Sequence, residues 1–273
     1  MSTFDFFIDT ADTEYIKRKW DEVNKVVDLN NYKGITTNPS AFAKEGLTTI
    51  AEWEKRTREL CLLVEEQTTK KNVVVYVQMP SDSLSYTQTK RWASMISGWG
   101  TDKVQVGLKI PPYYSHMAKE LLHLIPKINV TGLAEHGTLL RCAAVGGISH
   151  LSIIPGRMEA ADIDAKAQVA YIVQNLPAHT KPKVITGAMR TLEGLKWCAE
   201  FHTVPTIGKR VLDLINKDNA EEVFNPVLRN NFLDLDSQYV PLIEQRNIDL
   251  SVSFFKEMNK CSEQVATEFD KEQ

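Results

Sequence analysis

A lysine on an otherwise apolar predicted strand is the residue with the clearest capacity for chemistry in this sequence. In residues 104–110, VQVGLKI, the side chains alternate, so Gln105, Gly107 and Lys109 share one face of the strand. Gly107 leaves space beside Lys109. Burial there would lower the pKa of the amine, and a neutral amine attacks a carbonyl carbon to form a Schiff base. The alternative is a lysine whose charged end simply reaches solvent at the rim of the fold.

Small polar residues lie at or near the carboxyl ends of the other predicted strands. They are Asp9, Asn38, Gln78, Asn129, Thr131 and Ser152. Asn129 and Thr131 have the same parity, so both can point inward. In a barrel of eight parallel strands joined by helices, the active site lies at the carboxyl ends of the strands. A ring of uncharged polar groups around one carboxylate and one lysine therefore predicts an active site, whereas a single polar strand end would be weak evidence.

Two arginines follow the predicted sixth and seventh strands. Arg157 ends the segment IIPGR, and Arg190 ends TGAMR. A guanidinium group binds phosphate through paired hydrogen bonds, and barrels often hold phosphate near their late strands. We predict an anionic substrate on this basis. The alternative for each arginine is a solvated surface residue.

The elements that must position these residues alternate between strand and helix. Predicted strands lie at 4–9, 34–37, 72–78, 103–110, 127–131, 150–154, 183–187 and 202–205. Predicted helices lie between them at 12–27, 47–69, 83–98, 113–125, 134–146, 159–176, 191–200 and 206–217. This order predicts an α/β fold with a parallel sheet, and eight units favour a closed (β/α)8 TIM barrel. An open doubly wound sheet is the alternative, although no GxGxxG follows the first strand.

The alternation stops beyond residue 217. We therefore predict a catalytic barrel domain over 1–217 and a C-terminal helical extension over 218–273. Residues 240–272 have the pattern of one long or broken amphipathic helix. Its apolar stripe must pack on the barrel or on a neighbouring subunit, which suggests a homo-oligomer and leaves the subunit number open.

Composition excludes several classes of protein. The 273 residues carry a formal net charge of −3, too small to favour nucleic acid or a membrane surface as partner. No signal peptide and no apolar run of membrane-spanning length is visible. The four cysteines are widely separated, so we expect reduced thiols and a cytoplasmic protein. No metal-ligand spacing occurs, and the chemistry of a Schiff base requires no metal or organic cofactor.

Several motifs together resemble the transaldolase family, which includes the fructose-6-phosphate aldolases. FFIDTAD near the N-terminus and GITTNPS at the second strand are the most specific matches. LKIP, NVT, the serine and arginine of SIIPGR, and TVP follow in the order of the family. The resemblance covers roughly residues 4–215. It implies a TIM barrel and a sugar-phosphate substrate, with a place in the pentose phosphate pathway.

The resemblance also implies roles in the chemistry. Lys109 matches the nucleophile, and Asp9 matches the carboxylate that moves a proton to and from the sugar hydroxyl. Gln78 and Thr131 match the pair that positions the water used in dehydration.

Further matches concern substrate binding. Asn38 and Asn129 match residues that bind the dihydroxyacetone portion, and Ser152 matches another hydroxyl contact. Arg157 matches the principal phosphate ligand, and Arg190 matches a secondary one.

This sequence departs from the family at three points. Gln78 replaces the glutamate usual in transaldolases and agrees with the aldolase branch; it can orient a water but cannot take its proton. Ile154 stands where the family has Phe or Tyr. Glu135 and His136 stand where small or apolar residues are common, either as surface groups at a helix start or as replacement acid/base groups.

Three functions fit these residues. The first expectation is transfer of a dihydroxyacetone unit between sugar phosphates through Lys109. The second is an aldolase that releases dihydroxyacetone. The third is a non-catalytic barrel that binds sugar phosphates.

Overall fold

Eight parallel strands form a closed barrel in the order β1 to β8 in the computed structural model, which describes residues 5–23, 31–68, 73–176, 182–224 and 245–271. The strands are β1 (Phe6–Asp9), β2 (Tyr32–Thr36), β3 (Val73–Gln78), β4 (Val104–Ile110), β5 (Ile128–Leu133), β6 (His150–Ile153), β7 (Lys183–Thr186) and β8 (Val204–Gly208). The barrel closes where β8 pairs with β1, with Thr206 opposite Phe7. The predicted fold class is confirmed.

The strands are surrounded by helices. These are α1 (Thr13–Val23), α2 (Pro39–Lys44), α3 (Ile50–Gln67), α4 (Tyr86–Ser97), α5 (Ala118–Leu121), α6 (His136–Ala144), α7 (Pro155–Ala160), α8 (Ala165–Asn175), α9 (Leu192–Glu200), α10 (Lys209–Leu212), α11 (Ala220–Phe224) and α12 (Gln245–Lys271). A short 3-10 helix, Pro112–Met117, precedes α5. Local sequence sets two of the starts, because Thr49 with Glu52 and Ser85 with Gln88 form capping boxes at α3 and α4.

Both faces of the barrel wall are buried, as a parallel sheet requires. Every residue of β3 is buried. Inside the barrel, Phe7, Val74, Tyr76, Ile185 and Val204 form one apolar cluster. The helices and the outer faces of the strands form the main core around it.

Gly107 makes room inside the barrel, as the sequence predicts. A Cβ atom at this position would lie 2.5 Å from the ring of Tyr76. That ring fills the space next to Gly107, and the Tyr76 hydroxyl lies 2.7 Å from Nδ1 of His150. The floor below Lys109 is therefore packed, and the open space lies at the carboxyl end of the strands.

Three predicted helices are corrected by the structure. The helix expected at 113–125 is mostly a 3-10 helix, since Pro111 and Pro112 start the segment and lack backbone N–H donors. The helix expected from residue 159 is two helices, α7 and α8, with Asp162 at a positive φ of 55° between them. The helix expected at 206–217 starts later, because β8 continues through Thr206 and buried Ile207 to Gly208.

The C-terminal helix α12 packs on its own barrel. Its apolar residues Phe254, Phe255, Met258, Val265 and Phe269 are all buried. The hydroxyl of Ser262 donates to the carbonyl of Pro80, and that of Ser251 donates to the carbonyl of Gly132 at 2.7 Å. Within the predicted extension, residues 225–244 lie outside the described residues. The division of the chain at residue 217 stays a prediction.

The state of the cysteines and the character of the helices bear on the two sequence expectations about disulfides and membrane spans. Cys61, Cys142 and Cys198 are buried free thiols, while Cys261 is partly exposed. Among the described helices, none has the length and apolar character needed to cross a bilayer. The cytoplasmic location stays a prediction.

Candidate active site

A cavity of about 470 Å3 opens at the carboxyl end of the barrel strands. Six of the residues predicted from sequence line it, namely Asp9, Asn38, Lys109, Thr131, Ser152 and Arg157. Gln78 and Asn129 are buried behind this lining, on the strands that flank Lys109. Arg190 is exposed and lies outside the lining. The fold therefore brings all but one of the predicted residues to one place.

Lys109 is a buried amine at the floor of the cavity. Its side chain is only 6% exposed, and Nζ donates a hydrogen bond to the carbonyl oxygen of Thr37 at 2.9 Å. Register places it between Gln78 on β3 and Asn129 on β5. Burial lowers the pKa of Lys109, although the negative charge of Asp9 opposes that shift. The fold thus favours the neutral, nucleophilic form of this amine.

Asp9 ends β1 and faces the same cavity. The hydroxyl of Thr36 donates to its Oδ1 at 3.1 Å, and the hydroxyls of Thr36 and Thr206 are also hydrogen-bonded to each other. Burial raises the pKa of Asp9, while Lys109, the Thr36 hydrogen bond and Lys44 act in the opposite direction. A carboxyl group with a raised pKa can both take and return a proton, which suits a general base that later acts as an acid.

Two buried polar atoms beside Lys109 have no partner among the described residues. The hydroxyl of Ser152 donates to Oδ1 of Asn129 at 2.8 Å, which leaves Nδ2 of Asn129 without an acceptor. Oε1 of Gln78 also lacks a donor. A buried unpaired polar atom costs about 1–3 kcal/mol, so a hydroxyl group or a water that satisfied either atom would bind favourably.

Asn38 has a structural role besides its place in the lining. Its side chain accepts a hydrogen bond from the backbone N–H of Ala41 at 2.9 Å and so caps α2, with Pro39 at the first helical position. The motif TTNPS therefore turns the chain from β2 into α2 and holds the Asn38 side chain at the cavity.

The C-terminal helix contributes residues to this site that sequence reasoning missed. Phe254, Glu257 and Met258 of α12 line the cavity. Glu257 forms an ion pair with Arg157 at 2.7 Å, and the Arg157 guanidinium lies 5.1 Å from the centre of the Phe254 ring. The predicted phosphate ligand on the sixth loop is thus already engaged by a carboxylate.

The same helix accounts for Ile154. This residue belongs to a buried apolar cluster with Phe254, Phe255 and Met258 of α12. In this chain, aliphatic packing against α12 occupies the position where the family carries an aromatic ring. No strand pattern could have revealed the contact, because a hundred residues separate its two sides in sequence.

Glu135 and His136 lie at the start of α6, where Glu135 is the N-cap and His136 is the first helical residue. The Glu135 carboxylate accepts hydrogen bonds from the backbone N–H groups of Gly137 and Thr138, both at 2.6 Å, and it is only 6% exposed. Burial alone would raise the pKa of Glu135, yet these hydrogen bonds hold it below its ordinary value. The His136 ring packs edge-on against Tyr171 with centroids 5.1 Å apart. Glu135 is therefore a buried helix cap and not a surface group.

The cavity lining contains further polar residues that are absent from the predictions, and four of them matter here. They are Thr36, Thr206, Lys44 and Arg210. A signal for Thr36 exists, since it precedes Thr37 and Asn38 in the quoted motif at the end of β2. Thr206 lies one residue past the predicted end of the last strand, so a longer β8 would have revealed it. Lys44 and Arg210 lie on helices, where strand parity has no bearing.

In the described part of the chain, no group of three or more His, Cys, Asp and Glu side chains is arranged to hold a metal ion.

Comparison with curated proteins gives relatives named as probable transaldolases. No family model matches the chain. A protein named "Probable transaldolase 2" from Bacillus anthracis is 30% identical over 177 residues, which cover 64% of this chain and 72% of that protein. A "Probable transaldolase" from Thermodesulfovibrio yellowstonii is 26% identical over 212 residues, which cover 73% of this chain and 86% of that protein. Another "Probable transaldolase", from Methanococcus maripaludis, is 26% identical over 237 residues, which cover 83% of this chain and 92% of that protein.

Solved structures support the fold. The orotidine 5'-phosphate decarboxylase of Pyrococcus horikoshii superposes with a TM-score of 0.50 at 13% identity, covering 80% of this chain and 97% of that one. The OMP decarboxylase of Leishmania donovani also gives a TM-score of 0.50 at 12% identity, with 79% and 86% covered. At sequence identities this low, the similarity supports the barrel fold and does not bear on function.

Proposed function

The chain belongs to the transaldolase family, and we propose that it moves a three-carbon dihydroxyacetone unit between sugar phosphates through a Schiff base on Lys109. The observation that carries this proposal is the buried amine of Lys109, which has a lowered pKa and lies in a cavity with the Asp9 carboxyl group. A buried neutral amine is a strong nucleophile for a carbonyl carbon.

The first half of the reaction makes the imine. Nζ of Lys109 attacks C2 of a ketose phosphate, and the resulting carbinolamine loses water to give an iminium ion. Gln78 and Thr131 would position the water that leaves and later returns. Because Gln78 cannot accept a proton, it orients this water only through hydrogen bonds. Asn38, Asn129 and Ser152 would bind the hydroxyl groups around C1 and C3.

The second half breaks and remakes a carbon–carbon bond. Asp9 takes the proton of the C4 hydroxyl, the C3–C4 bond breaks, and its electron pair moves into the iminium ion. The products are an aldose phosphate and a three-carbon enamine on Lys109. An acceptor aldehyde is attacked by the enamine carbon, and Asp9 returns the proton to the new hydroxyl. Water then hydrolyses the iminium and frees the amine.

The phosphate contacts stay predictions from the sequence. Arg157 lines the cavity, and a phosphate could bind it only by replacing or sharing the Glu257 carboxylate. Arg190 would have to reach the cavity from an exposed position.

A second candidate is favoured by one residue. Gln78 occupies the position where the aldolase branch carries glutamine, and its Oε1 has no partner among the described residues. In that reaction the enamine is protonated at C3, and hydrolysis releases dihydroxyacetone without an acceptor.

Borohydride trapping tests the proposal. We expect fructose 6-phosphate plus borohydride to add one reduced sugar-derived mass to the protein on Lys109, because hydride converts the iminium into a stable amine. The Lys109→Met protein should show no adduct by intact mass. Lys103→Met is the matched control: its amine pairs with Glu65 and is 61% exposed, so trapping should persist.

Absence of an adduct with every ketose tried would refute the Schiff base and leave a sugar-phosphate-binding barrel. Turnover with and without erythrose 4-phosphate separates the two enzymes. Transfer requires the acceptor, whereas acceptor-independent release of dihydroxyacetone identifies the aldolase.

A further inference from the structure

Five cationic side chains line the cavity at the barrel mouth. They are Lys44, Lys109, Arg157, Lys209 and Arg210. Lys109 lies buried at the cavity floor, where its Nζ donates to the carbonyl of Thr37, so it is not a group of the cavity mouth. The other four differ in whether a carboxylate already neutralises them.

Two of these four are neutralised within the chain. Arg157 pairs with Glu257 at 2.7 Å. Lys209 pairs with Glu45 at 3.2 Å and with Asp12 at 2.5 Å. An anion that used either cation would have to compete with a carboxylate already in place, and such competition reduces the gain from binding.

Lys44 and Arg210 are the two that remain. Neither has an ion pair with a carboxylate of the described residues, and both side chains are exposed toward the cavity mouth. Their chain neighbours Glu45 and Lys209 touch each other, which brings the end of α2 and the start of α10 to the same part of the rim. This part of the rim flanks β1, whose last residue is Asp9, and Lys44 is close enough to lower the pKa of Asp9.

We propose that Lys44 and Arg210 form an anion subsite that binds the phosphate group of a phosphorylated sugar. A phosphate monoester offers three acceptor oxygens and close to two negative charges, which match one guanidinium and one ammonium group. The subsite lies in the same cavity as Lys109, on helices that follow β2 and β8, whereas Arg157 lies on the helix that follows β6. Its phosphate chemistry rests on the proposed function, whereas its preference for an anion rests on the charges alone.

Inorganic phosphate is the probe that tests the subsite without any catalysis. Calorimetric titration of the full chain should show binding that weakens about tenfold in Lys44→Met and about tenfold in Arg210→Met, since each removes one charge-assisted contact. Lys103→Met removes the same charge from the far end of β4 and should bind phosphate like the parent. The charge-keeping changes Lys44→Arg and Arg210→Lys should restore most of the affinity.

The subsite is overturned if the parent protein binds no phosphate, or if either Met variant binds it as tightly as Lys103→Met does. Loss of binding in Arg157→Met alone would also overturn it and place the anion on the sixth loop.

A second measurement connects the subsite to the substrate. The ketose concentration that gives half-maximal borohydride trapping should rise about tenfold for fructose 6-phosphate in Lys44→Met and stay unchanged for fructose, which has no phosphate. An equal rise for both sugars would contradict a phosphate contact. If no sugar is trapped on Lys109, the proposed function fails, and the phosphate titration still decides the subsite.

Discussion

At the scale of single residues, the site depends on two ionisable groups, the buried Lys109 and the partly buried Asp9. Burial lowers the pKa of Lys109 and raises that of Asp9, so both shifts favour the neutral forms. Each group also acts on the other: the Asp9 charge favours a protonated Lys109, and the Lys109 charge favours an ionised Asp9. Thr36 adds a hydrogen bond that favours the Asp9 carboxylate. The neutral amine of Lys109 is the nucleophile, and the carboxylate form of Asp9, which Lys109 and Thr36 favour, is the proton acceptor.

The pH dependence of imine formation follows from these signs. Only the neutral amine attacks a carbonyl, so the rate of adduct formation should rise with pH to a plateau. The midpoint of this rise should lie below the ordinary lysine pKa of 10.5. Asp9→Asn removes the negative charge that raises the Lys109 pKa, so the midpoint should move to lower pH. Reduction of the dihydroxyacetone adduct across a pH series, followed by mass, measures it.

Asp12→Asn is the matched control for that experiment. It changes the same chemical group three residues away, on a carboxylate that pairs with Lys209 and not with Lys109. A midpoint that moves equally in both variants, or that moves upward in Asp9→Asn, would contradict the coupling between Asp9 and Lys109.

At the scale of elements, α12 acts as a cover for one side of the cavity. Its middle part lies over the end of β5 and over α7, with Phe254 and Phe255 next to Gly132. Its later part is held by the Phe269 side chain, which is buried against Trp92. The helix is thus fixed along its length and contributes Glu257 to the cavity.

Gly132 is a position where α12 packs closely against the barrel. Its φ is +75°, and a Cβ atom would lie 2.6 Å from the Phe255 ring. Gly46 has a similar φ of +72° with nothing within 4 Å of such a Cβ, and Gly208 has neither constraint. We expect Gly132→Ala to lower the free energy of unfolding by about 1–3 kcal/mol more than Gly46→Ala, because overpacking adds to backbone strain.

Urea unfolding of the three alanine variants provides the measurement. Gly208→Ala should leave the free energy of unfolding nearly unchanged. Equal losses in Gly132→Ala and Gly46→Ala would mean that backbone strain alone acts, and that α12 does not press on the end of β5.

At the scale of the whole molecule, the C-terminal helix leaves a pair of neighbouring apolar side chains uncovered. Ile248 and Val252 lie one turn apart on α12, and their exposed fractions are 39% and 48%. They lie outside the face that α12 buries against its own barrel. A homo-oligomer formed through this helix was expected from sequence and stays a prediction; these two residues are the place on α12 where a second copy would fit.

Replacing both residues by lysine should prevent that association. We expect the Ile248→Lys, Val252→Lys protein to scatter light as a single chain of 30.9 kDa, while the parent scatters as a multiple of that mass. Leu62→Lys is the control, since Leu62 is 55% exposed on α3. A parent protein of single-chain mass, or an unchanged multiple in the double variant, would contradict an interface on α12.

The sequence by itself determined the fold class and the positions of most candidate site residues. Strand parity is local, so the pattern of VQVGLKI already places Gly107 and Lys109 on one face. The repetition of eight strand–helix units leaves few topologies for the sheet. The ends of elements were less certain, as β8 shows, because Thr206 and Ile207 fit a strand or a helix start equally well until their pairing with β1 is known.

Only the tertiary structure decided what surrounds those residues. The ion pair of Glu257 with Arg157, the packing of Ile154 on Phe254, and the burial that shifts the pKa of Lys109 all involve groups far apart in sequence. The contacts of Glu257 and Phe254 depend on how α12 packs across the barrel. The hydrophobic periodicity of the sequence predicts the helix but not its position on the barrel. The same holds for Lys44 and Arg210, whose charges stand out only once the other cations at the barrel mouth are seen to be paired.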